Sequence, residues 1–188
     1  MLLALALVLS ACEVKFTLPA YQPVTTQEYQ GAVTVDEFDY RPKEGIKPNE
    51  IRETAAGTVL MTENVAAYYS NAVRRELRQA GLSLLADKCA LSGTVHDFAI
   101  DSLGFSATYI SDVEYRMQTP AEDQIGRYQV KFTTSKFLEA SLIIANVQKI
   151  VSDNIGQMLA DPGFKAAFAR CRPSRQAVLD HREERPVG

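Results

Sequence analysis

The side chains capable of acid–base, nucleophilic or metal chemistry are few in this sequence, and their spacing does not assemble them. Of the two histidines, His96 adjoins Asp97 in a segment of strand character, where successive side chains point to opposite faces. His181 lies in a polar tail. Neither has partners at the spacing of a zinc site or a Ser-His-Asp arrangement. Asp36, Glu37 and Asp39 bring carboxylates together, and two carboxylates in unlike environments can divide acid and base roles. Strand alternation separates Asp36 from Glu37, so edge-strand charges that discourage aggregation are the simpler reading. The sequence contains no phosphate-cradling glycine loop, no HExxH and no G-x-S-x-G. No catalytic residue, metal site or cofactor is expected, and the chain reads as non-enzymatic.

The three cysteines fall into two settings. Cys12 follows MLLALALVLSA, an uncharged apolar run too short to cross a hydrocarbon core of roughly 30 Å as a helix and suited to a signal-peptide h-region. The sequence Leu9-Ser10-Ala11-Cys12 resembles a lipobox, which implies cleavage before Cys12 and attachment of diacylglycerol to its thiol. Residues 1–11 are therefore expected to be a lipoprotein signal peptide, although only the α-amino group of Met1 supplies a positive n-region. Acyl burial at about 0.8 kcal/mol per CH₂ would hold the chain on a membrane. Glu13 is not the aspartate that resembles an inner-membrane retention signal, which favours the periplasmic side of the outer membrane. Setting Cys12 aside leaves Cys89 and Cys171, an even pair in an oxidising compartment, and a disulfide is expected. Two free thiols remain the alternative, because only a Cα separation near 5.5 Å permits the bond.

The elements that would position these residues follow from hydrophobic period. The length of 188 residues, with 46% apolar and 23% charged residues, fits one globular domain. A net charge of -3 gives no basic footprint for nucleic acid. Residues 12–30, with the lipidated cysteine and two prolines, read as a flexible linker. Residues 31–171 read as a periplasmic domain, and 172–188 as a disordered tail. Within the domain, AVTVDEFDY is a strand whose alternation slips between Val35 and Phe38. Residues 63–80 place Val65, Tyr69, Ala72, Val73, Leu77 and Ala80 on one helical face, with Gly81 as the left-handed stop. Arg74, Arg75 and Arg78 read as a solvated helix end. ALSGTVHDFAI is a second strand, followed by a turn over 101–104.

Phe105, Ala107, Tyr109, Val113, Tyr115 and Met117 then alternate with polar residues, as in a sheet covered on one side. A further strand holds Tyr128, Val130 and Phe132 on one face. The last long helix carries Ile143, Ile144, Val147, Val151, Ile155 and Leu159, and Asp161-Pro162-Gly163 ends it before a short helical FKAAFAR. The expected class is α+β: strand, helix, three strands, helix, with two helices on one face of a four-stranded, mostly antiparallel sheet. Its other face, with Thr108, Asp112, Glu114 and Arg116, is left open as a possible docking face. Tyr109, Tyr115 and Tyr128 are either core or the lining of a ligand groove.

The segments ENVAAYYSNAVRRELRQAGL and YQVKFTTSKFLEASLIIANVQKIVSDNIGQML resemble the first helix and the closing strand and helix of small bacterial envelope lipoproteins of the YajG type. The likeness covers about residues 31–160, and the layout is also similar to PqiC-like auxiliary lipoproteins of ABC-type transport. That resemblance implies no catalytic residue. It implies an accessory or docking module with an envelope protein as partner. The competing expectation is a carrier that holds a lipid or cell-wall fragment between helices and sheet. Partner identity and oligomeric state stay open.

Overall fold

The computed structural model describes residues 14–16, 18–53, 59–86, 88–103, 105–135 and 140–171. The signal peptide, Cys12 and the tail expected over 172–188 lie outside the described residues.

In chain order the elements are β1 (Val14–Phe16), β2 (Thr34–Val35), β3 (Asp39–Tyr40), β4 (Glu50–Glu53), β5 (Val59–Met61), α1 (Val65–Gln79), β6 (Ala90–Leu103), β7 (Ser106–Gln118), β8 (Gln124–Ser135), α2 (Ala140–Ala160) and α3 (Pro162–Arg170). The class is α+β as expected, but the sheet has eight strands rather than four. Its main path runs β1-β5-β4-β6-β7-β8, and β2 and β3 also pair with β6. The slip between Val35 and Phe38 is a break that divides the expected first strand into β2 and β3. At that break Phe38 turns into the core and its N–H donates to the Ser70 hydroxyl, 2.9 Å away. β2, β3 and β4 lie parallel to β6 in succession, while β7 lies antiparallel to β6, and β8 to β7.

β6 carries the device that keeps one face apolar. Leu91 and Val95 point inward, then the register shifts between Val95 and Asp97, after which Phe98, Ile100 and Ser102 are buried. A β-bulge inserts one residue and so moves the inward set from odd to even numbers. His96 is that extra residue. On β7 the odd positions 107, 109, 113, 115 and 117 are buried as the alternation predicts. Phe105 is the exception: it sits at the hairpin turn before β7 begins and is 94% exposed.

Both long helices cover the apolar face. Every residue expected on the inner face of α1 is buried, and Gly81 follows with φ of 89°, a conformation glycine adopts without a Cβ penalty. Asp161 ends α2 and caps α3, its Oδ1 accepting from the N–H groups of Gly163 and Phe164 at 2.7 and 3.2 Å. A buried polar knot joins α1, β7 and α2. Tyr69 and Ser111 hydroxyls are 2.6 Å apart, the Tyr115 hydroxyl donates to Asn154 Oδ1 at 2.8 Å, and Asn154 Nδ2 donates to the carbonyls of Ser111 and Tyr128. Cys89 and Cys171 are bonded, with Cα atoms 6.0 Å apart, tying the start of β6 to the end of α3.

The expected flexible linker needs correction, because residues 14–16 and 18–30 are part of the fold. β1 pairs with β5, and Leu18 and Tyr21 are buried. Glu76, 2% exposed on the inner side of α1, accepts from the Tyr21 hydroxyl at 2.5 Å and from the N–H groups of Val24 and Thr25 at 3.0 and 2.9 Å. The Tyr29 N–H then donates to the Ala80 carbonyl at 2.8 Å. A buried carboxylate demands such donors, and this segment supplies three of them. Prolines and polar residues had masked a segment held by hydrogen bonds rather than by a periodic apolar face.

Candidate functional site

Two surfaces merit consideration, one on each side of β7. On the helix side a cleft of about 240 Å³ opens at the end of the sheet, where Val59, Ile100, Ala107, Tyr109, Leu142 and Ile143 line it together with Glu53, Ser102, Thr134, Ser135 and Asn146. β4, β5, β6, β7 and β8 each bring a residue to it, and the first turn of α2 forms its rim. Tyr109 is 3% exposed and stacks on Phe132 with ring centroids 5.2 Å apart. Burial raises the Tyr109 phenol above its ordinary pKa, with the Glu53 carboxylate adding to the shift and an Asn146 hydrogen bond opposing it. The Glu53 Oε1 atom is buried without a hydrogen-bond partner. Apolar walls with a few polar groups suit one end of an amphipathic molecule.

The three tyrosines expected around one groove are not brought together. Tyr109 lines the cleft, whereas Tyr115 is wholly buried and bound to Asn154. Tyr128 packs between Tyr115 and Phe164, at centroid distances of 6.1 and 6.3 Å. Burial pushes the phenols of Tyr115 and Tyr128 well up, and the Asp161 carboxylate contributes at Tyr128. Both belong to the core. Gly126 makes room for Tyr128, since a Cβ there would lie 2.5 Å from its hydroxyl.

On the opposite side, the predicted docking residues do share one face of the sheet, and they are largely paired with each other's neighbours. Thr108 and Thr133 hydroxyls are 2.9 Å apart. Arg127 grips Asp112 through two hydrogen bonds of 2.8 and 2.6 Å, which is why Asp112 is only 7% exposed. Glu114 stands 3.9 Å from His96, and Arg116 lies 4.0 Å from Asp123. Such cross-strand pairs stabilise a sheet modestly. Beyond them β8 ends the sheet path, with β7 as its only strand neighbour among the described residues.

His96 and Asp97 do not cooperate. Asp97 accepts two hydrogen bonds from Arg52, at 3.2 and 2.8 Å, and His96 occupies the bulge. Asp39 pairs with Arg41, and Glu37 with Arg74, so the carboxylates near residue 37 are engaged by surface cations. Arg74, Arg75 and Arg78 line a polar depression of about 330 Å³ beside Tyr21 and Tyr68. A larger depression, about 670 Å³, separates residues 27–31 from α3 and adjoins Cys171, where the described chain stops. Among the described residues no three His, Cys, Asp or Glu side chains are grouped to hold a metal ion, and no helix is long and apolar enough to cross a membrane. The residue that sequence reasoning missed is Glu76. Its signal was a charge at a core position of α1, four residues after Ala72 and one before Leu77.

No protein-family model and no curated protein matches the chain. Solved structures do share its fold. A Xanthomonas campestris protein of the DUF330 family superposes with a TM-score of 0.59 at 8% identity, covering 81% of this chain and 96% of that one. An uncharacterized protein superposes with a TM-score of 0.55 at 9% identity, covering 77% of this chain and 94% of the other. The rare lipoprotein B of Shewanella oneidensis covers 80% of this chain and 100% of its own at 10% identity, but its TM-score of 0.37 supports no structural argument. At these identities the likeness to the first two structures establishes a common α+β architecture.

Proposed function

We propose that this chain is a lipid-anchored accessory protein of the bacterial envelope, held on the periplasmic side of the outer membrane by Cys12 and docking on a second envelope protein. The observation that supports docking is β8. It is a twelve-residue strand at the end of the sheet, and an edge of that length presents main-chain groups to which an extended segment can add. The neighbouring face, from Thr108 to Arg116, is polar and already paired within itself, so it would flank a partner rather than anchor it. Lipidation raises the local concentration of both proteins, so a modest edge contact suffices. A photo-crosslinking side chain at Lys131, exposed on β8, should capture a discrete partner in intact cells. The same probe at Ala121, outside the strand, should not. Capture of no envelope protein from Lys131, or the same proteins from both sites, sinks the docking reading.

The cleft favours a second reading, a carrier for an amphipathic lipid or cell-wall fragment. Its volume of about 240 Å³ lies below the ordinary range for whole small-molecule sites, about 300–1,000 Å³, so it would seat part of such a molecule. Native mass spectrometry of protein purified in mild detergent tests this. A bound lipid lost on changing Ala107→Phe, which fills the cleft, supports the carrier, and a ligand-free protein removes it.

A further inference from the structure

The route of the chain from its anchor and the apolar cleft converge on one end of the sheet. At that end Glu53 lies beside Ile100, Leu103 faces Ser106, and Ser106 faces Ser135. Val14 pairs with Val59, and Val59 lines the cleft, so the chain enters the domain there. Only Glu13 stands between Cys12 and Val14, a reach of no more than about 7 Å.

The same end carries Phe105, the most exposed large apolar side chain among the described residues. Phe105, at the β6–β7 turn, is 94% exposed, and Leu142, on the cleft rim, is 42% exposed. Turns in water favour Gly, Asn, Asp, Ser and Pro, and a bare phenyl ring at a hairpin tip departs from that rule. At the far end of the sheet the β7–β8 hairpin TPAED carries Glu122 and Asp123, which face Arg170 at 2.8 Å and Arg116 at 4.0 Å. The described residues thus set a bare phenyl tip at one end against a charged, ion-paired hairpin at the other, as interfacial proteins separate lipid-facing from water-facing surface.

We propose that this end of the molecule is a membrane-contact surface, and that Phe105 seats in the interfacial layer of the bilayer that holds Cys12. The proposal rests on the reading of Cys12 as lipidated. A short tether makes the contact recurrent, because the domain cannot move far from the bilayer. It also orients β8 along the membrane normal, with the TPAED hairpin turned away from the lipid.

The chain contains no tryptophan, so Phe105→Trp creates a single reporter at an exposed site that packing does not constrain. The full-length lipidated protein would be placed in phosphatidylethanolamine–phosphatidylglycerol vesicles, with and without brominated acyl chains, beside an Ala121→Trp control. An indole at 105 should emit at shorter wavelength and lose roughly half its intensity to bromine, as expected for a ring about 5–10 Å into the headgroup boundary. The indole at 121 should behave as in water. Lipidated protein with unquenched, water-like emission at 105, or equal quenching at both sites, overturns the membrane contact alone. Mass spectrometry of the same preparation showing an unmodified Cys12 overturns the anchor reading, and the contact with it.

Discussion

At the residue scale, the groups that look chemically promising in isolation are tied up in structure, and the group that matters most to stability is a carboxylate inside the core. Glu76 holds the N-terminal segment through three donors. Replacing it with alanine leaves those donors buried and unpaired, and should lower stability by about 3 kcal/mol. Urea unfolding checks this, and limited proteolysis between residues 18 and 30 should become faster in the variant. Gly93 is a second sensitive position, since a Cβ there would come within 2.2 Å of the Phe38 ring. Gly93→Ala should cost about 1–3 kcal/mol through overpacking, read as a lower melting temperature. Buried phenols set the alkaline limit. Burial raises Tyr68 from its ordinary 10.0 to about 12, and pushes Tyr69 and Tyr115 further up. The unfolded chain therefore ionises first. Stability from these groups is complete below pH 10 and falls as pH rises from about 10 toward 12 and beyond. Absorbance of tyrosinate should rise together with loss of circular dichroism, as one transition.

At the element scale, legibility tracked the length of the periodic signal. The face of α1 and the alternation of β7 run over many residues and are found where expected. β1, β4 and β5 have three or four residues each, too few for a period, and they belong to the sheet only because β6 and one another offer edges. The bulge at His96 was hidden because Phe98, Ala99 and Ile100 are all buried, so no polar residue marks the new phase. The cleft was half legible. Tyrosines at core spacing were visible, but which one borders open space depends on α2, where Asn154 meets Tyr115 and Asn146 lies in the cleft wall near Tyr109. Inserting one alanine between Asp97 and Phe98 should abolish folding, because it turns Phe98 and Ile100 to the outer face. Exchange His96→Ala, which keeps the count, should fold with stability within about 1 kcal/mol of the parent, because the buried Nε2 of His96 makes no hydrogen bond that the change would break. Chemical-shift dispersion in the amide spectrum distinguishes the two outcomes.

At the scale of the whole molecule, the disulfide and the N-terminal segment join distant parts of the chain. Cys89 and Cys171 are 82 residues apart, and closing a loop of that size stabilises by about 4 kcal/mol in the chain-entropy description. Reduction, or the double change of Cys89→Ser and Cys171→Ser, should lower the urea midpoint correspondingly while leaving the sheet signature of the folded protein unchanged. The whole-molecule features that sequence did not reveal are those made by long-range pairing. One of them bears on the order of events as the chain is made. The Ala32 N–H donates to the Cys171 carbonyl at 3.0 Å, and Gly31 is pressed against the Phe168 carbonyl closely enough to exclude a Cβ. Gly31 and Ala32 therefore complete their contacts only once α3 has docked, whereas Tyr29, Val33 and Thr34 bond to Ala80, Ser83 and Cys89. Closure of the domain thus waits on α3, a contact of high sequence separation and correspondingly slow to form, and until it is made the apolar faces of β6 and β7 are open to any holding chaperone that meets the chain.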